Sequence, residues 1–310
     1  MRLAFVRTIE EYAPSTRAAY LMLAVTVFLW AIGIIFARGM RVDLPGVGLT
    51  FWRWTIAALI VLPFAWRDLT DRWPLIRSRK GLFLSLAFLQ MFGSVMLFTG
   101  VNFTTAISGT LVNSSQPAMT ALVALLILRH RLSWVQSIGL AAALFGVLIS
   151  VSKADLTVLT AFQFNIGDIM MIAGTVAYAA YPVALHRLPR GFSLLTLLFI
   201  ISASGSVMLL PFYIWETIYV RPIVLTPANG LVILFMALII SVVSIFLWNA
   251  GIRAVGPNRA AIFVNLLPIY GAALAIPFLG ETLEIFHVVA AALVISGILM
   301  VIRGHRKAGE

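Results

Sequence analysis

Ten nearly unbroken apolar runs divide the chain, at 18–37, 47–66, 81–102, 105–128, 134–152, 165–186, 193–215, 229–252, 258–279 and 285–302. About 20 apolar residues make a helix long enough to cross a bilayer. Within lipid, only helices and closed barrels satisfy their own backbone polar groups. These runs lack the apolar/polar alternation of a barrel strand, so the pattern predicts an all-α integral membrane protein with ten transmembrane helices joined by short connections.

Composition agrees with a lipid environment. Over 310 residues the chain is 62% hydrophobic and 11% charged, with a mean hydropathy of +1.04, whereas soluble domains carry about 25% charged residues. A soluble enzyme with a single anchor is excluded. The net charge of +11 would suggest nucleic acid in a soluble domain, but its distribution reads as topology. Seventeen Lys and Arg fall on the side holding both termini, at Arg2, Arg7, Arg17, residues 67–80, Arg129, Arg131, Arg187, Arg190, Arg253, Arg259, Arg303, Arg306 and Lys307. Four fall on the other, at Arg38, Arg41, Lys153 and Arg221, and Arg53 lies inside the second run. Cytoplasmic loops collect the basic excess, so both termini are expected in the cytoplasm, with the chain in a cell inner or plasma membrane. Segment 1–17 lacks the apolar core and cleavage site of a secretory signal peptide. With no cysteine there is no disulfide framework, thiolate nucleophile or Cys-based metal site.

Displacing the chain along itself by 151 residues superimposes Gly100 on Gly251, Pro117 on Pro268, Leu132 on Leu283 and Gly146 on Gly297. Gly and Pro are the residues least interchangeable within helices, so the match predicts two five-helix repeats, 18–152 and 165–303. Around them lie a cytoplasmic segment 1–17, an extracytoplasmic linker 153–164 and a cytoplasmic tail 304–310. An odd number of helices per repeat inverts the second, an architecture that transporters use to expose a midplane site to alternate sides.

Several motifs resemble the EamA-like family of the drug/metabolite transporter superfamily over roughly 18–303. FLWAIGIIFAR keeps the family's Trp at Trp30, with Ala31 where Gly is usual. Arg53-Trp54 resembles its Arg-Phe, and Gly167–Val183 resembles the opening of a second repeat. Trp248–Leu283, with Pro268 and Gly280-Glu281, is the most specific stretch; His130 stands at the first-half position where the family usually has Glu. The resemblance implies a ten-helix transporter of small metabolites, frequently an exporter, with a cavity lined by helices one, three, four, six, eight and nine.

Arg53 lies about 9 Å into its helix at 1.5 Å per residue, where it can either snorkel to the interface or meet a substrate carboxylate. Gln90 and Ser94 are one turn apart, and Ser241, Ser244 and Trp248 follow helical spacing, as do Asn258 and Asn265. Asn113 and Gln116 cluster before Pro117, where a helix gives up a backbone hydrogen bond. Singly, such residues are helix-to-helix glue; as a set they are expected to line the pathway. Trp30, Tyr178, Tyr181, Trp248 and Tyr270 could form an aromatic wall, while Trp52, Trp54, Trp66, Trp73 and Trp215 read as an interfacial belt. Gly139, Gly146 and Gly297 read as close-packing positions. None of the eleven acids lies at mid-helix; Glu281, Glu284 and His287 read as helix-start chemistry, and so does Asp168.

The expected function is transport of small neutral or zwitterionic metabolites, amino acids foremost and in the export direction, by alternating access with Pro117 and Pro268 as flex points. The alternatives are a passive channel and a membrane-embedded enzyme, for which the sequence offers no paired acids, His cluster or Cys at helix depth. No cofactor, metal, catalytic residue or nucleic-acid partner is expected. The partners are the solute and membrane lipid, with a monomeric or weakly homodimeric protein.

Overall fold

A computed structural model describes residues 14–129, 132–155, 157–158, 161, 164–188 and 192–307. Among these the chain is helical, without strands. The elements are α1 (Thr16–Gly39), α2 (Gly46–Asp71), the short α3 (Trp73–Ser78), α4 (Lys80–Gly100), α5 (Ala106–Ser114), α6 (Gln116–Leu128), α7 (Trp134–Ser152) and α8 (Ile166–Leu185). Then come α9 (Leu194–Trp215), which continues as a π-helix over Glu216–Val220, and α10 (Pro227–Phe235), joined through the π-helical Met236–Val243 to α11 (Ser244–Val255). Last are α12 (Pro257–Phe263), a 3₁₀ turn Val264–Leu266, α13 (Leu267–Leu279) and α14 (Ile285–Lys307).

Nine of these helical stretches are long and apolar enough to cross a membrane, and α5 with α6, bent by 43°, forms a tenth candidate span, all among the described residues. With ten crossings, α1 starts and α14 finishes at one end of the bundle, called the near end; the opposite end is the far end.

Most expected boundaries lie within a few residues of those observed. Three departures matter. The second helix runs on to Asp71 instead of stopping at 66, and part of the expected loop 67–80 is α3. The seventh runs past Trp215 through a π segment, which takes Glu216 into the bundle. The fourth is broken by a bend at Ser115 before Pro117, and the ninth, though one continuous span, carries a 3₁₀ turn at Val264–Leu266 before Pro268. A proline lacks the N–H its turn needs and crowds the carbonyl four residues back, which accounts for the bend at one proline and the tightened turn at the other.

Helix starts follow local sequence. Ser15, Thr105, Asn165, Ser193 and Thr226 each accept a first-turn N–H, and Ser133 and Gln136 form a reciprocal capping box. α2 starts after Pro45 with no side-chain cap of its own.

Packing pairs the two halves of the chain. α4 lies along α8, α9 along α2, α11 and α13 along α1, and α7 along α14. In the last pair a Cβ on Gly297 would fall 2.4 Å from Gly139 O, and one on Gly146 would fall 2.8 Å from Ala290 O. These glycines let the two backbones touch, as their spacing suggested. These two spans touch one another through α5 and α13, whereas α6 turns to α8 and α12 to α11 and α1. The pair is therefore closed toward the far end and diverges toward the near end.

Candidate functional site

Arg53 lies seven residues beyond the start of α2, about 10 Å deep at 1.5 Å per residue. Its side chain does not snorkel: the residue is 4% exposed. Its Nη2 donates to Ser94 Oγ on α4, and Trp54 Nε1 donates to the same oxygen at 3.3 Å. The guanidinium carbon lies 5.0 Å from the Trp54 ring centroid and 4.5 Å from that of Phe98. The Tyr178 hydroxyl, from α8 in the second half, interacts with both Arg53 and Ser94. Gly93 makes room for that ring, since a Cβ there would sit 2.8 Å from Tyr178 Cδ1.

No carboxylate forms an ion pair with Arg53 among the described residues, and its Nε is buried without a hydrogen-bond partner. Burying a charge is costly unless it is paired. Two aromatic faces and two hydroxyls, of Ser94 and Tyr178, offset part of that cost through cation–π attraction and hydrogen bonding. What the arrangement still offers is a positive charge with an unused donor, held between the two halves.

A second cluster links α1 to α11. The Trp30 and Trp248 ring centroids are 4.9 Å apart, Trp30 Nε1 donates to Ser244 Oγ at 3.3 Å, and Ser244 Oγ donates to Ile240 O at 2.5 Å. The five expected wall aromatics thus divide. Trp30 and Trp248 form a pair that packs with Tyr270 on Val27, Ala31 and Leu267, Tyr270 also meeting Phe28 edge-on at 5.3 Å, whereas Tyr178 serves Arg53 and Tyr181 packs on a separate apolar cluster with Leu198 and Ile201.

The helix breaks carry the third group. Asn113 is 8% exposed and Asn265 is 7% exposed; Asn113 Oδ1 and both amide atoms of Asn265 have no hydrogen-bond partner. Gln116 Nε2 donates to Tyr178 O at 3.3 Å, and Gln90 lies half-buried on α4, one turn before Ser94. Irregular turns interrupt two of the expected helical registers. Ser241 lies inside the π segment, where its Oγ donates to Met236 O at 3.2 Å, while Ser244 and Trp248 lie on α11, and Asn265 lies within the 3₁₀ turn that follows the helix of Asn258.

Other expectations need correcting. Trp54 is no belt residue, being 2% exposed, while Trp66, Trp73 and Trp215 are 56–57% exposed. Glu281 does cap a helix start, but not its own: its two oxygens accept from Ala106 N at 2.7 Å and Ile107 N at 3.0 Å, at the first turn of α5. His287 Nδ1 accepts from Glu284 N at 3.0 Å, and its Nε2 lies 3.2 Å from Ser108 Oγ. Asp168 sits in the first turn of α8, as expected, and accepts from Thr104 Oγ1 at 2.6 Å. His130 lies outside the described residues. Among those residues no group of three or more His, Asp or Glu is arranged to hold a metal ion.

Sequence reasoning missed Glu216. Buried at the far end, it accepts from Val47 N at 3.2 Å and Gly48 N at 2.7 Å, supplying the cap that α2 lacks. A 240 Å³ cavity bordered by Arg41, Asn102, Glu216 and Arg221 lies beside it.

A bundle of ten candidate spans, whose halves meet around a buried cation, one broken span and one with a 3₁₀ turn, is the build of a membrane transport protein. The model of the EamA-like transporter family matches twice, over residues 17–152 and 165–303, and the chain belongs to that family. It is 26% identical over 252 residues to the uncharacterized transporter YyaM of Bacillus subtilis (strain 168), covering 80% of this chain and 81% of that one. It is 25% identical to the uncharacterized transporter YetK of the same organism, with 92% and 86% covered. An uncharacterized transporter of Archaeoglobus fulgidus is 23% identical, with 91% and 96% covered. A solved crystal structure overlays with a TM-score of 0.59 at 15% identity, spanning 96% of this chain and all of that one, which shows the shared fold. The protein is a multi-pass membrane transporter.

Proposed function

We propose that this transporter exports small zwitterionic metabolites, amino acids foremost, by alternating access between two inverted five-helix halves. Arg53 carries the reading: a buried guanidinium with no acidic partner among the described residues, facing Ser94 and Tyr178 where the halves meet, suits a carboxylate that accepts charge-assisted hydrogen bonds. Trp30 and Trp248 offer apolar area for a side chain, and Asn113, Gln116 and Asn265 offer neutral polar groups at the helix breaks. Helix breaks beside a binding site are a recurrent feature of transporters. The near end is cytoplasmic on the basic-residue count, and the membrane is the cell's inner or plasma membrane.

The test is counterflow in liposomes loaded with a panel of unlabelled amino acids, with labelled solute outside. Trans-stimulated uptake is the expected result. Equilibration of the label at a rate indifferent to the internal solute describes a channel and defeats the carrier reading.

A further inference from the structure

The Glu216 contact has a counterpart in the sequence. Displaced by 148 residues, VLPFAWRD of α2 lies over LLPFYIWE of α9, which superimposes Pro63 on Pro211, both within helices, and Asp68 on Glu216. The same displacement carries Val47 and Gly48, whose N–H groups Glu216 holds, onto Leu195 and Thr196 in the first turn of α9. One carboxylate thus stands at each end of the α2–α9 pair, at the C-terminal end of one helix beside the first turn of the other.

The two ends are not in the same condition. At the far end both Glu216 oxygens are engaged. At the near end Asp68 Oδ1 accepts from Arg72 Nε at 2.5 Å, while its Oδ2 is buried without a partner. The Arg72 guanidinium carbon lies 5.2 Å from the ring centroid of Phe192, the residue before the α9 N-cap, so Asp68 stands close to the helix start that its symmetry mate would predict. At that start Thr196 N–H donates to Ser193 Oγ at 3.4 Å, and Thr196 Oγ1 is buried without a partner. The divergence of α6 from α12 toward the same end points the same way.

We propose that Glu216 and Asp68 are alternate latches of one gating cycle. Glu216 holds the far end shut in the conformation described. When the far end opens, Asp68 takes up the first-turn N–H groups of α9 and holds the near end shut. The inference rests on the alternating-access reading and adds the groups that set its equilibrium. An ionised carboxylate on two backbone N–H groups at a helix start combines charge-assisted hydrogen bonds with a favourable dipole, so losing one latch moves the balance toward the opposite state.

The absence of cysteine allows a single reporter, Asn113→Cys, to be alkylated by a membrane-impermeant maleimide supplied to one face of oriented liposomes. The parent reporter protein is expected to label from the near side. Adding Glu216→Gln raises far-side labelling roughly tenfold, which corresponds to about 1.4 kcal/mol. Glu216→Asp, charged but one methylene short, gives an intermediate rise and serves if the Gln variant is poorly folded. Asp68→Asn lowers far-side labelling and slows counterflow, and the double variant Asp68→Asn/Glu216→Gln returns toward the parent. Far-side labelling unchanged by both Glu216 variants, in protein whose melting temperature is retained, overturns the latch alone. No labelling from either side in any variant overturns the alternating-access reading and the latch with it.

Discussion

Glu281 reaches across 175 residues of sequence to accept the backbone N–H of Ala106 at 2.7 Å. It is delivered there by the left-handed Gly280, φ 65°, which ends α13 in a conformation that glycine adopts without steric cost. Arg38 Nε lies 3.9 Å away, and Arg38 Nη1 donates to Asn102 O at 2.6 Å. Three spans are thereby tied together at the far end. Glu281→Ala leaves two first-turn donors unserved and is expected to cost about 1–3 kcal/mol; Glu281→Gln, which keeps one acceptor oxygen, costs less. Melting temperatures in detergent check the order. Equal stability of all three proteins would show that the contact holds nothing.

The α7–α14 seam gives a second prediction. Gly297→Ala forces a methyl against Gly139 O and is expected to destabilise by about 1–3 kcal/mol through overpacking. Gly230→Ala is the control, because nothing lies within 4 Å of its Cβ position. The control should be neutral or slightly stabilising, since Ala is the better helix former. A thermal-shift comparison decides, and matching melting temperatures would contradict the close-packing account.

Asn265 separates glue from pathway. An interhelical hydrogen bond in a membrane protein contributes about 0.6 kcal/mol on average, but neither amide atom of Asn265 has a partner. Asn265→Ala is therefore expected to retain the melting temperature while altering transport kinetics. Trp248→Ala, which empties one side of the Trp30 pair, should change which solutes are accepted. Uptake by each variant at matched reconstitution reads both effects; unchanged kinetics and substrate range in both would assign these residues to packing.

The membrane fold was legible because ten apolar runs leave little choice of architecture, and the Gly and Pro matches at a displacement of 151 fall within the two stretches, 17–152 and 165–303, that the family model matches. The irregular turns were not. A π segment such as Met236–Val243 keeps the same apolar composition as an α-helix, so the side-chain pattern continues across it while the register shifts. The site was legible in part. Arg53 stood between snorkelling and burial until Ser94, 41 residues away, and Tyr178 supplied the partners that turn it inward. Trp54 looked interfacial from its position near a helix start, yet its indole N–H finds the same hydroxyl. The two capping carboxylates were misread or missed for a common reason. An acid just past a helix end resembles a solvated loop residue, and the N–H groups that claim Glu216 and Glu281 lie 168–175 residues away.

The central claim is that the Arg53 guanidinium receives the carboxylate of the transported solute. The most direct measurement is counterflow of the fastest-exchanging amino acid beside its amide and its decarboxylated amine, in wild type, Arg53→Lys and Arg53→Gln at matched reconstitution. Wild type is expected to exchange the amino acid in preference to both analogues. Arg53→Gln should lose roughly 10- to 100-fold in exchange efficiency, as expected for a charged hydrogen bond worth about 1.5–3 kcal/mol. Arg53→Lys should keep part of it, because an ammonium retains the charge without the planar fork. Amino-acid exchange by Arg53→Gln at the wild-type rate and KM, with the same preference over the amide and the amine, would contradict the claim.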